Sequence, residues 1–147
     1  MMLSKKTKYA IHALVILAKE YGKGPVLIKE ISESAHIPQK FLENILVELK
    51  NTGILKSRKG KGGGYYLLKK PEEVNLASII RLFDGAIGMI PCVTYLYYEK
   101  CEECQDENSC GVRAVFKDVR DVTVDLLKKA TLAGIIQRER ELNKKRK

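Results

Sequence analysis

Ile28-Lys-Glu-Ile-Ser-Glu-Ser-Ala-His-Ile37, Pro38-Gln-Lys-Phe-Leu-Glu-Asn-Ile-Leu-Val-Glu-Leu-Lys-Asn-Thr-Gly53 and Ile54-Leu-Lys-Ser-Arg-Lys-Gly-Lys-Gly-Gly-Gly-Tyr-Tyr-Leu-Leu68 follow one another directly. The first unit is a short amphipathic helix, with Ile28, Ile31 and Ala35 at helical spacing. The pattern breaks before Pro38, because proline disfavours α geometry in the residue preceding it. Pro38 suits the first position of a second helix, where its missing N–H leaves nothing unsatisfied. That helix is expected to bury Phe41, Leu42, Ile45, Leu46 and Leu49 and to stop at Gly53. The third unit is a hairpin, with strand-like Ile54-Leu55 and Tyr65 to Leu68 around a glycine-rich basic tip.

Helix, turn, helix and basic hairpin in this order predict a winged helix-turn-helix. The other face of the second helix opens with Gln39, Lys40, Glu43 and Asn44. In this motif such residues meet base edges in the major groove. Gln and Asn pair with adenine, and Glu accepts from cytosine. A solvated helix face is the plainer account of the same residues. The wing adds Arg58, Lys59 and Lys61 among Gly60, Gly62, Gly63 and Gly64. One or two glycines suffice for a turn. Four suggest a backbone that approaches phosphate or a narrow minor groove, where Arg58 is suited to the negative potential. The run is not a nucleotide-binding loop: it lacks GxxxxGK[ST], and Tyr65 stands where GxGxxG needs its last glycine.

Charge points the same way. The net charge is +9 over 147 residues. Residues 1–75 hold 14 Lys and Arg against 7 Asp and Glu, and residues 76–147 hold 13 against 11. A basic excess in the reading half favours a polyanion and salt-sensitive binding. No long basic amphipathic helix in that half supports a membrane surface instead. Ala13 to Ala18 is too short an apolar run to span a bilayer, and no cleavage pattern marks a signal peptide. The expected compartment is the cytoplasm. With two histidines distant from any nucleophile and no paired carboxylates, no enzyme chemistry is expected.

Around the head, Ser4 caps a helix running to about Tyr21, and Asn75 caps another that Asp84-Gly85 stops. Lys5, Lys6 and Lys8 are suited to phosphate or simply to water. His12 lies mid-helix, more in keeping with a structural role.

Residues 86–110 hold all four cysteines, Cys92, Cys101, Cys104 and Cys110, spaced C-x8-C-x2-C-x5-C. Glu99, Glu102, Glu103, Asp106 and Glu107 make the segment too polar for a core. Close thiolates in a reducing compartment suggest a soft metal or an iron–sulfur cluster. Structural zinc usually takes two close pairs, and only Cys101 and Cys104 form one. A thiol switch and a flexible loop of free thiols remain open. Next, Gly111 to Lys129 reads as a long helix, with Val112, Val115, Val119, Val122 and Leu126 recurring at about 3.5 residues. The C-terminal half is too small to bury this stripe, which predicts a dimerisation helix. Arg113 and Arg120 lie off the stripe. Thr131 to Leu142 suggest a last short helix, and residues 143–147 a disordered basic tail.

These pieces resemble the Rrf-two family of winged-helix regulators over nearly the whole chain. The resemblance rests on Lys8-Tyr9-Ala10, on Ile37-Pro38-x-x-Phe41-Leu42-Glu43-x-Ile45-Leu46 with Leu49-x-x-x-Gly53, on Arg58-Lys-Gly-Lys-Gly-Gly-Gly-Tyr65, and on the cysteine loop before a long helix. It implies a homodimer on promoter DNA, often a repressor, with three loop cysteines holding an iron–sulfur cluster (2Fe-2S or 4Fe-4S). Cys92, Cys104 and Cys110 match those ligands, although the loop here is longer, and Cys101 is extra. The iron–sulfur cluster regulator takes a fourth ligand from a histidine at the position of Arg113, which cannot serve. Some nitric-oxide sensors use an acidic residue near the N-terminus, where this chain is lysine-rich. Cys101 is the first candidate for the fourth ligand, followed by a loop carboxylate or His12 of a second copy.

The expected organisation is therefore a winged helix-turn-helix over 1–85, a sensor loop over 86–110, a dimerisation region over 111–142 and a tail over 143–147. The expected function is a DNA-binding regulator whose loop senses iron–sulfur status, nitric oxide or redox state. Zinc or free thiols in the loop are the nearer alternative. A thiol or electron-transfer protein with a basic docking face is the more distant one.

Overall fold

The computed structural model describes residues 2–147. Its main elements are six α-helices and one hairpin: α1 (Lys5–Lys19), α2 (Ile28–Ala35), α3 (Gln39–Asn51), β1 (Leu55–Arg58), β2 (Gly64–Leu67), α4 (Leu76–Phe83), α5 (Gly111–Lys129) and α6 (Leu132–Lys145). Mainly helical with a two-stranded antiparallel sheet, it has the architecture expected from the sequence. Among the described residues no helix is long and apolar enough to cross a membrane.

Local chemistry sets the helix ends. Ser4 accepts the N–H of Thr7 at 3.1 Å and starts α1. Asn75 accepts the N–H of Ser78 at 3.0 Å and starts α4. Between α2 and α3, His36 takes a left-handed φ of 53°, and Ser32 Oγ donates to the carbonyl of Ile37 at 2.6 Å. Pro38 is not yet helical (φ −57°, ψ 128°), so it caps α3 and Gln39 is the first helical residue, one later than the sequence suggests. Gly53 follows α3 with φ 80°, a conformation that costs other residues about 1–2 kcal/mol.

The core gathers one face of each head element: Ala10, Leu14 and Leu17 of α1, Ile31 of α2, Leu42, Ile45, Leu46 and Leu49 of α3, and Leu55 and Leu67 of the hairpin. Leu132 and Ile136 of α6 complete it, so the C-terminal helix packs back onto the head. Lys19 and Glu139 pair where α6 passes the end of α1. The expected disordered tail begins inside this helix, which runs through Lys145. A smaller cluster, Ala77 and Ile80 of α4 with Ile87 and Val124, seats α5 against α4.

Candidate nucleic-acid interface and cysteine loop

On α3, Gln39, Lys40, Glu43 and Asn44 are all exposed while Leu42, Ile45, Leu46 and Leu49 turn inward. Phe41 does not join the core as the sequence suggested; it is 63% exposed. Its neighbours Leu42 and Ile45 fill the space beneath α3, and position 41 faces outward beside the start of α1.

The wing is a tight hairpin with Leu55 opposite Leu67 and Arg58 opposite Gly64. Arg58, Lys59 and Lys61 are exposed, and the Arg58 guanidinium lies 6.0 Å from the Tyr66 ring centre. The four glycines have a nearer explanation than contact with phosphate. Gly60 and Gly62 take positive φ, 89° and 77°. A Cβ on Gly63 would lie 2.3 Å from the Arg58 carbonyl oxygen, and one on Gly64 would lie 2.2 Å from that of Val26. Val26 pairs with Tyr65, its N–H reaching the Tyr65 carbonyl at 2.8 Å, and so clamps the wing to the segment after α1. Hairpin closure alone therefore requires these glycines.

The cysteine loop is held by α5. Arg113 Nε donates to the carbonyl of Cys92 at 3.1 Å. Arg120, one heptad on, is only 6% exposed and donates to the next carbonyl, Val93. Its guanidinium also donates to the Tyr95 hydroxyl at 3.2 Å and lies 4.2 Å from that ring. Asp121 accepts from Arg120 Nε at 2.9 Å, which pairs the buried charge. Both arginines lie off the apolar stripe. Their seven-residue spacing, which puts them on one helix face, was the available signal.

The cysteines occupy different settings. Cys92 is buried. Cys101 is exposed and donates its thiol hydrogen to Glu103 at 2.9 Å, which raises the thiol pKa and lowers that of the carboxylate. Cys110 caps α5, its sulfur accepting the Arg113 N–H at 3.4 Å. Partial burial, then the neighbouring Cys110, push the Cys104 thiol up. Four thiols suit a soft metal in kind. In arrangement they do not yet form a site: among the described residues no three His, Cys, Asp or Glu side chains converge as metal ligands. His12 is exposed on α1.

Val112, Val115, Val119, Val122 and Leu126 of α5 are 42–63% exposed, an unpartnered apolar stripe along the helix.

A family model described as Rrf2, iron-dependent transcriptional regulator, matches residues 3–138. An Rrf2-like HTH-type transcriptional regulator of Rhodobacter capsulatus is 39% identical over 121 residues, 80% of this chain and 81% of that protein. The structure of CymR, the global cysteine regulator of B. subtilis, superposes with a TM-score of 0.77 at 28% identity, covering 92% of this chain and 95% of that one. T. potens IscR gives 0.75 at 25% identity, covering 97% and 90%. With the fold, the exposed polar start of α3 and the closed basic wing in place, the chain belongs to the Rrf2 family of DNA-binding transcriptional regulators, and it is not an enzyme.

Proposed function

We propose that this protein is a cytoplasmic, homodimeric repressor that reads palindromic promoter DNA. Gln39, Lys40, Glu43 and Asn44 contact base edges in the major groove. Arg58, Lys59 and Lys61 hold the wing on phosphates and the flanking minor groove. The observation that carries this reading is the division of α3: its apolar residues are buried, and its four polar residues at the helix start are all exposed. Two heads joined through α5 match the two halves of a palindrome. The five half-exposed apolar residues of α5 support that pairing, since covering what remains exposed of each contributes about 1–2 kcal/mol.

The test is binding to a duplex selected by the wild-type protein from a random library, measured across salt concentrations. Arg58→Ala is expected to lower the slope of log K against log salt by about one. An unchanged slope removes Arg58 from the phosphate contacts, and no binding at low salt removes the whole reading.

The loop is the sensor. In this reading Cys92, Cys104 and Cys110, with Cys101 as fourth donor, hold an iron–sulfur cluster and report iron–sulfur status, nitric oxide or redox state. The soft donor set and the iron-dependent family description support it. Such a cluster supplies one-electron chemistry and reactivity towards nitric oxide, and its binding requires the loop to bring the thiols closer together. Iron, acid-labile sulfide and zinc content of anaerobically prepared protein decides the matter. Iron and sulfide in stoichiometric amount support the reading; zinc alone, or no metal after reconstitution, overturns it.

A second reading leaves the loop without a cluster, with zinc or bare thiols and control by a partner or by oxidation. The likeness to the global cysteine regulator CymR supports it, as do the four free thiols of the loop.

A further inference from the structure

The start of α1 and the first two turns of α3 form a groove of about 530 Å³, lined by apolar Tyr9, Pro38, Phe41 and Ile45 and by polar Ser4, Lys5, Lys6 and Asn44. Of the four polar residues that open α3, only Asn44 lines it. A single exposed phenylalanine on a surface is ordinary. Phe41 differs because it forms one wall of a groove that also includes Asn44, one of the base-reading candidates. The groove is therefore continuous with the face that α3 turns to DNA.

Charge chooses the occupant. Lys5 has no carboxylate partner among the described residues, and its ammonium stands 5.9 Å from the Tyr9 ring. Lys6 is engaged by Glu48, with the Phe83 ring 5.4 Å from its ammonium. Asp84, at the end of α4, is occupied by the Ser4 N–H at 3.0 Å. The groove therefore combines apolar lining with one cation that has no carboxylate partner among the described residues. The edge of a DNA strand offers the chemical complement: a phosphate oxygen for an ammonium, and the largely apolar face of a deoxyribose for an aromatic ring.

We propose that this groove seats one sugar–phosphate strand beside the major groove, with Lys5 on a phosphate and the Phe41 ring against the adjoining deoxyribose. The proposal rests on the major-groove reading of α3 and extends it to a second element, α1. It makes Lys5 and Phe41 positioning residues that set the register of α3 without reading sequence.

The experiment uses the full chain and the library-selected duplex, with a second duplex of shuffled sequence. Lys5→Ala is expected to lower the salt slope by about one and to weaken both duplexes alike. Phe41→Ala is expected to weaken both about tenfold with no change of slope, because it removes apolar contact and no charge. Phe41→Leu should recover part of that loss. Lys145→Ala is the charge control. It lies at the end of α6, six residues beyond Glu139, which pairs with Lys19 at the opposite end of α1 from Lys5.

Unchanged slope for Lys5→Ala with unchanged affinity for Phe41→Ala overturns the proposal. If Arg58→Ala still lowers the slope in the same assay, the DNA reading itself stands. A loss for Phe41→Ala confined to one base position assigns the ring to a base edge and overturns the strand-edge placement. A change in oligomeric state of either variant assigns the groove to a second copy and overturns it too. Phe41 is mostly exposed, so the variants are expected to keep the wild-type melting temperature.

Discussion

Arg113 reaches back from α5 to Cys92: its Nε donates to the Cys92 carbonyl at 3.1 Å, while its own backbone N–H is capped by the sulfur of Cys110. One residue of the long helix thus touches two loop cysteines, and Arg120 holds the next carbonyl along. If these contacts keep Cys92 buried, their removal exposes it. Arg113→Ala should accelerate alkylation of Cys92 by iodoacetamide severalfold, read by peptide mass spectrometry, with Cys101 as the exposed internal reference. Arg113→Lys, which places a single ammonium where a planar fork stood, should fall between. Equal Cys92 labelling in all three proteins means the bond does not hold the loop.

The α5 stripe yields a sharper outcome. A carboxylate at its centre cannot be buried without a partner. Val115→Asp and Val122→Asp are expected to convert a dimer into a monomer in sedimentation velocity. Because these side chains lie outside both core clusters, the monomer should keep its helical circular dichroism. A dimer that survives both substitutions would assign the interface elsewhere.

Glycines of the wing should differ in how much they tolerate. Gly62 faces open space, and a side chain there meets only the positive φ, costing about 1–2 kcal/mol. At Gly64 a methyl would also strike the Val26 carbonyl oxygen, so Gly64→Ala should cost about 2–4 kcal/mol. Urea unfolding of the two variants compares them. Equal losses would show that the wing can swing away from Val26.

Asp84 links the end of α4 to the start of α1. Burial raises its pKa, but the hydrogen bonds from Ser4 and Thr7 together outweigh this and hold it below the ordinary 3.8. A carboxylate with a depressed folded pKa adds stability above its unfolded pKa and loses it as pH falls through the folded one. The melting-temperature gap between wild type and Asp84→Asn should therefore be full above about pH 5 and close towards pH 3. A gap constant across that range would mean the carboxylate charge contributes nothing.

Much of this molecule is legible in local sequence. Caps at Ser4 and Asn75, the break before Pro38, the turn at Gly53 and the apolar periodicity of α2, α3 and α5 are all short-range chemistry, and the fold class follows from their order. Three features were not legible in this way, and each is a contact between distant segments. Periodicity places Phe41 near the buried face, but only the packing of α1 on α3 leaves it outside. Four glycines suggest a ligand until Val26 is seen pairing with Tyr65, which supplies the steric reason for Gly64. Charge alone sends Arg120 to water, yet the Val93 carbonyl and the Tyr95 ring, 27 and 25 residues earlier, draw it into the interior. Periodicity records which face of an element is apolar. Which partner meets that face, and what is left beside it, depends on groups brought together only when the whole chain closes.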